Sequence, residues 1–298
     1  MKHRIHSLIA ILIAWLGSAH PLPAASAIRI DATPAALAVI MAERRSVLLG
    51  EVHDNGEQHA LRVAALRQRI DDGARPALVF EQFDRDRQAD IDRVRQESPG
   101  DADALIAAVG AKNWEWKHYR PFVQIALDHG LPIVAGNLSR ADAMKVAASG
   151  WDGVFDASTQ ATLGLHRLPA DFVEAHERAV ARGHCDLLPV SALAPMARAQ
   201  IARDIVLARS LRPYLAEGAV LLSGNGHVRK DIGVPAWLSA DERRDVVSIG
   251  LLERDPEKAI ADAAEHSGQF DVVIETAAAE RPDPCAALRK RLQPVARP

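Results

Sequence analysis

Short apolar runs recur along the chain at Ser46–Leu49, Ala77–Phe80, Pro132–Ala135, Ala219–Leu222, Val246–Leu251 and Asp271–Ile274. Each is nearly continuous rather than alternating, the pattern of a strand covered on both faces. Between them the hydrophobic period becomes helical. Gln58–Asp71 carries Leu61, Ala64, Ala65 and Leu66, and Tyr119–His129 carries Phe122, Val123, Ile125, Ala126 and Leu127. Ala192–Leu211 is a long amphipathic stretch rich in Ala and Arg. Alternating strand and helix predicts an α/β fold, three-layer α/β/α with a mostly parallel sheet. No strand pattern occurs between Asp142 and Leu211, so residues 142–211 are expected to form a helical insertion in a single domain spanning 28–298. Pro282, Pro284, Pro294 and Pro298 predict an irregular C-terminal tail.

The N-terminus changes the picture from a plain α/β protein to an exported one. Lys2 and Arg4 precede the apolar run Leu8–Leu16, and Ala25-Ser26-Ala27 follows as a small-x-small cleavage site. The run is about half of the roughly 20 residues that a membrane-spanning helix needs, so residues 1–27 are expected to be a cleaved signal peptide. The mature chain is then periplasmic or secreted. The cleavage region holds no Cys that could carry a bacterial lipid anchor. Cys185 and Cys285 are the two cysteines, and an even count in an exported chain predicts a disulfide. With 36 Lys+Arg against 39 Asp+Glu, the chain has no basic footprint, which excludes nucleic acid as a partner.

In an open α/β sheet, ligands bind beyond the carboxyl ends of the strands. The residues following the expected strands are Glu51 and His53, Glu81 and Gln82, Asn137, Asn225 and His227, Glu253, and Glu275. Two of these segments repeat one pattern, a hydrophobic strand running into Gly-x-x-His: Gly50-Glu51-Val52-His53 and Gly224-Asn225-Gly226-His227. Each Gly permits a tight turn that presents the imidazole over the sheet edge. His53 and His227 with Glu51 and Glu81 suit a metal-free acid/base site. His53, His227 and Glu51 also suit a divalent metal site. The plainer reading is that both histidines cap turns. Asp54 and Asn55 fit as N-caps of the helix running through His59. His176, His184 and Cys185 are too few, too widely spaced, for a zinc finger.

A second patch, Asn113-Trp114-Glu115-Trp116-Lys117-His118-Tyr119-Arg120-Pro121, concentrates aromatic and cationic groups in an aromatic-poor chain. Such a surface suits a flat apolar ligand carrying carboxylates, with Lys117 or Arg120 binding the acid groups. Tyr119 and His118 are residue types that ligate haem iron. Alternatively, Trp114 and Trp116 close one end of the core.

Several of these segments together resemble the ChaN-type haem-binding uptake family, within the grouping that includes TraB, Tiki and erythromycin esterase proteins. They are Leu48–Asn55 with His59, Phe80–Asp84, Trp116 with Tyr119 and Pro121, Ala135-Gly136-Asn137, and Gly224–Pro235. The resemblance implies an α/β fold and a role in haem or iron acquisition at the bacterial envelope. For the wider grouping it implies a Glu/His site that supports hydrolysis in some members. Glu51, His53, Glu81 and His227 match the site positions, and Tyr119 is a haem contact, with Trp116, His118 and Arg120 beside it. Haem is then the expected ligand, an outer-membrane haem receptor an expected partner, and a homodimer an expected assembly. One departure stands out: ChaN-type proteins are typically lipoproteins, and this chain lacks the acylated Cys. A soluble periplasmic protein is therefore expected.

Overall fold

A computed structural model describes residues 27–254 and 268–292. The expected signal segment lies outside them except for Ala27. Among the described residues, no helix is long and apolar enough to cross a membrane. In chain order the elements are β1 (Ile28–Ile30), α1 (Pro34–Glu43), β2 (Ser46–Leu49), α2 (Gly56–Asp71), β3 (Ala77–Asp84), α3 (Gln88–Glu97), α4 (Ala102–Val109), α5 (Trp116–Asp128), β4 (Ile133–Asn137), α6 (Arg140–Ser149), α7 (Ala157–Leu163), α8 (Ala170–Gly183), α9 (Val190–Leu211), β5 (Ala219–Leu222), α10 (Asn225–Val228), α11 (Ala240–Arg244), β6 (Val246–Glu253), β7 (Val272–Thr276) and α12 (Pro284–Leu292).

The seven strands form one parallel sheet in the order β1-β7-β6-β2-β5-β3-β4. All four residues of β2 are buried, as are those of β5, because helices cover both faces. Alternate residues feed two cores. Val47, Leu49, Phe80 and Leu222 pack against α1 to α5 on one face. Leu48, Val79 and Leu221 pack against the end of α9 and the segment after β5 on the other. This is the three-layer α/β/α architecture that the apolar runs predict.

Between β4 and β5 the described chain contains helices only. α6, α7 and α9 share a third core with Phe155, Leu165, Ile201 and Ile205 at its centre. α8 packs on α9 and overhangs the carboxyl ends of the strands. Cys185, in the turn between α8 and α9, is disulfide-bonded to Cys285 in α12, with the Cα atoms 5.6 Å apart.

Three boundaries differ from the sequence pattern. β1 is a three-residue edge strand whose central Arg29 breaks its apolar run. β3, β4, β6 and β7 extend far enough that Glu81, Asn137, Glu253 and Glu275 lie within strands rather than after them. In the C-terminal tail expected to be irregular, Pro294 and Pro298 lie outside the described residues, while Pro284–Leu292 forms α12. Pro284 sits at its first position, where the missing N–H breaks no helical bond.

Candidate functional site

β2 and β5 are neighbours, with Leu49 opposite Leu222. The two Gly-x-x-His segments therefore leave the sheet side by side. Asn225 N donates to Glu51 O at 3.0 Å, stitching one turn to the other. The Asn225 side chain then bonds both ways to the backbone of Leu251, giving 2.5 Å to its carbonyl and accepting 3.0 Å from its N–H. Gly50 is needed here because a Cβ would fall 2.3 Å from Asn225 Oδ1 and 2.9 Å from Ile249 O. β3 flanks β5 on its other side, so Glu81 Oε2 accepts from Gly224 N at 2.8 Å.

Glu51 is the centre of the first half of the site. Its carboxylate is fully buried and forms an ion pair with the guanidinium of Arg62, which is itself buried on the inner face of α2. Arg62 also donates to Leu49 O at 3.2 Å and lies over the Phe122 ring. Burial lowers the Arg62 pKa to about 10, against the attraction of the nearby acids. The other carboxylate oxygen, Oε1, accepts from the Tyr119 hydroxyl at 2.5 Å and from His53 Nδ1 at 2.9 Å. Holding His53 through Nδ1 turns Nε2 outward. His59 donates from Nε2 to His53 O at 2.9 Å and stacks on His118 at 4.4 Å. Burial lowers the His59 pKa to about 4, against the opposing effect of its hydrogen bond to His53 O, so this ring is neutral. Asn55 caps α2, accepting from Gln58 N at 3.1 Å, as expected.

The second half is built on Glu81, His227 and Asp204. His227 Nδ1 donates to Asp204 Oδ1 at 2.6 Å, and His227 Nε2 lies 3.4 Å from Glu81 Oε1. His176 on α8 lies 3.7 Å from the other Asp204 oxygen. Burial opposes a charge on His227, but Glu81 and Asp204 outweigh it and raise its pKa to about 10. Burial equally opposes ionisation of Glu81, and the His227 cation overcomes it, holding the carboxylate well below its usual range. The ion chain Glu81–His227–Asp204 thus joins the sheet to the roof helix α9.

Both halves open into one cleft of about 960 Å³ under α8 and α9. Glu51, His53, Glu81 and His227 all line it, so the structure brings these four expected residues together. Trp114 stands at its wall, edge-on to His53 with centroids 4.9 Å apart. Arg140, Arg203 and Arg281 also line it.

The other expected ligand-contacting residues are not brought to the cleft wall. Tyr119 is fully buried behind Glu51. Trp116 is turned into the core, stacked on Phe83 with its Nε1 donating to Ala111 O at 3.0 Å. Arg120 points the other way and is held by both oxygens of Asp103 at 2.7 and 2.6 Å. Lys117 pairs with Glu115 at 2.6 Å, and His118 is covered by its stack on His59. One turn of α5 explains this: its buried face presents Tyr119 and Phe122 to the sheet, leaving Lys117 and Arg120 outside.

The divalent metal expected at His53, His227 and Glu51 has no support in this arrangement. Among the described residues, no group of three or more His, Cys, Asp or Glu could hold a metal ion. The donors are already engaged: Glu51 by Arg62, Tyr119 and His53, and His227 by Asp204 and Glu81.

Sequence reasoning missed Asp204, Arg62 and Arg203, and weighed His176 only as part of a zinc finger. A signal existed for Asp204, a charged residue on an otherwise apolar face of α9, which is costly without a partner and therefore points to one.

The fold has a known counterpart. A solved structure showing cofacial haem binding to ChaN of Campylobacter jejuni superposes with a TM-score of 0.61 at 20% identity, covering 80% of this chain and 89% of that one. An erythromycin esterase, EreC, in its open conformation matches at 13% identity with a TM-score of 0.42, covering 73% of this chain and 72% of that one. No curated protein matches the chain. The family model for haem-binding uptake, Tiki superfamily, ChaN, matches residues 37–238, a span that includes both Gly-x-x-His turns, Glu81 and Asp204. The chain belongs to this ChaN family.

Proposed function

We propose that this protein binds haem in the cleft under α8 and α9 and serves haem or iron acquisition at the bacterial envelope, as a periplasmic or secreted protein. Family membership carries the reading. The cleft is compatible with it. Its volume lies at the upper end of the ~300–1,000 Å³ usual for ligand pockets. Trp114 offers an aromatic face, and Arg140 and Arg203 offer cations to a ligand that is flat, apolar and doubly acidic. An outer-membrane haem receptor and a second copy of the chain are the partners this role would use. Titrating the pure protein with haemin tests the proposal. A saturable change in the visible spectrum at stoichiometric haemin is expected; a spectrum that stays that of free haemin would sink it.

A second reading, a Glu/His hydrolase that needs no metal, is favoured by the Glu51–His53 pair, in which a buried carboxylate orients a half-exposed imidazole in the cleft. There, His53 would accept a proton from water. A panel of esters and peptides tests it. Turnover lost in His53→Ala supports the reading, and activity absent throughout, or untouched by that change, counts against it.

A further inference from the structure

We propose that a cavity at the amino edge of the sheet, opposite the cleft, is an anion site for a phosphorylated ligand, either a phosphomonoester or a diphosphate. The inference does not depend on haem binding. The four central strands β6, β2, β5 and β3 start beside this cavity, which holds about 520 Å³. Arg44, Arg45, Arg69, Arg75 and Arg244 line it. They come from separate places in the chain: the cap of α1, the residue before β2, the last turn of α2, the loop before β3 and the end of α11.

The cavity has a fixed frame. Ser46, buried at the start of β2, donates to Leu215 O at 3.4 Å and accepts from Ala219 N at 3.1 Å, which ties the loop before β5 to β2. Gly218, at φ +110°, brings that loop against Arg45, where a Cβ would lie 3.0 Å from Arg45 O. Arg45 Nη1 then donates to Ala216 O at 2.8 Å. Arg75 is held in the same way, Nη1 donating to Ile70 O at 2.8 Å and Ala74 O at 2.7 Å, and Arg44 Nη1 reaches Glu43 O at 3.1 Å. The other nitrogens of these three groups have no partner among the described residues, and the Arg69 guanidinium has none at all. A guanidinium anchored by one nitrogen keeps its remaining N–H groups for a ligand and loses little further freedom on binding.

Neighbouring groups leave these donors unused. The carbonyl ends of α1, α2 and α11 attract cations, and Arg75 meets that need on α2. Glu43, Glu217 and Asp245 line the same cavity but form no ion pair among the described residues; of the five arginines only Arg244 is taken by an acid, Asp241. On the open surface, by contrast, Arg87, Arg93, Arg120 and Arg212 each pair with a carboxylate. A phosphate group brings three acceptor oxygens, more than a carboxylate, and so suits donors that converge from several segments. The volume exceeds that of a lone phosphate and leaves room for a body the size of a sugar or a glycerol.

Calorimetric titration of the full-length protein with inorganic pyrophosphate at low salt tests the site. Saturable binding is expected, weakened by added salt and reduced about tenfold by Arg69→Glu and by Arg44→Glu. Arg93→Glu, on α3 and away from the cavity, should bind as the wild type does. Melting curves of each variant check the fold. Flotation with phosphatidylglycerol vesicles, against phosphatidylcholine vesicles, distinguishes the source of the phosphate. Vesicle binding that pyrophosphate blocks and the two cavity variants lose indicates a lipid headgroup; pyrophosphate binding without vesicle binding indicates a free phosphorylated molecule. The proposal is overturned by no saturable binding in either arm. Binding that both cavity variants retain, or that Arg93→Glu weakens equally, overturns it too.

Discussion

Asp204, on the helix that roofs the cleft, accepts a hydrogen bond at 2.6 Å from His227, on the turn that follows a central strand. The two residues lie 23 positions apart in sequence. The bond couples the helical segment to the sheet at the point where the ligand space begins. Both side chains are nearly buried, so each charge depends on the other for compensation.

Removing that compensation should be costly. Asp204→Ala leaves the His227 cation with Glu81 alone, and breaking a buried pair in this way costs about 3–5 kcal/mol. Asp204→Asn keeps an acceptor and should cost less. Urea unfolding of the two variants, compared at pH 7, checks the order. Equal stability of Asp204→Ala and wild type would show that the pair contributes nothing.

Stability should peak near neutral pH. Burial opposes the His227 cation, but Glu81 and Asp204 raise its pKa from 6.5 to about 10 on folding. Its contribution is thus full below about 6.5 and is lost as pH rises through about 10. Burial lowers His59 from 6.5 to about 4, so the unfolded chain takes up a proton that the folded chain refuses, and stability falls from pH 6.5 towards 4. Glu81, depressed in the folded state, adds a loss as pH falls below its ordinary 4.5. Chemical unfolding across pH 4–10 should give a maximum around pH 6.5. The alkaline limb should flatten in Asp204→Asn.

The disulfide should hold the roof in place. Cys185 lies at the tip between α8 and α9, which line the cleft, and Cys285 lies beyond Arg281, which lines it from the other side. Replacing both cysteines by Ser should cost about 2–4 kcal/mol. It should also expose the α8–α9 turn to limited proteolysis and speed haem loss. Thermal unfolding with and without reductant, followed by mapping of the cut sites, measures both effects.

Gly224→Ala separates ligand binding from stability. The backbone there, φ −64° and ψ 154°, accepts an alanine. The new Cβ meets only the His53 ring, a half-exposed side chain that can swing away. The stability loss should stay at or below about 1–3 kcal/mol, while haem affinity falls because the displaced His53 ring alters the cleft wall. Matched melts and haemin titrations would show the split; parallel losses would contradict it.

Much of this was legible in the chain. Apolar runs such as Val47–Leu49 and Ala219–Leu222 located the strands because burial on both faces leaves no polar position in them. The repeated Gly-x-x-His marked two turns, and adjacency of β2 and β5 is what made the repeat meaningful. The roles of Arg62 and Asp204 were not legible, because their partners, 11 and 23 residues away in sequence, are defined only once helices pack on the sheet. The Trp114–Arg120 patch looked like one surface in sequence. A single helical turn splits it, sending Tyr119 inward, Arg120 outward and leaving Trp114 at the cleft.

The location of haem is tested most directly by a crystal structure of the haemin-loaded protein. A porphyrin is expected in the cleft between the Gly224 turn and α8–α9, with its carboxylates towards Arg140 and Arg203. A porphyrin bound on another face, with the cleft unchanged, would contradict it.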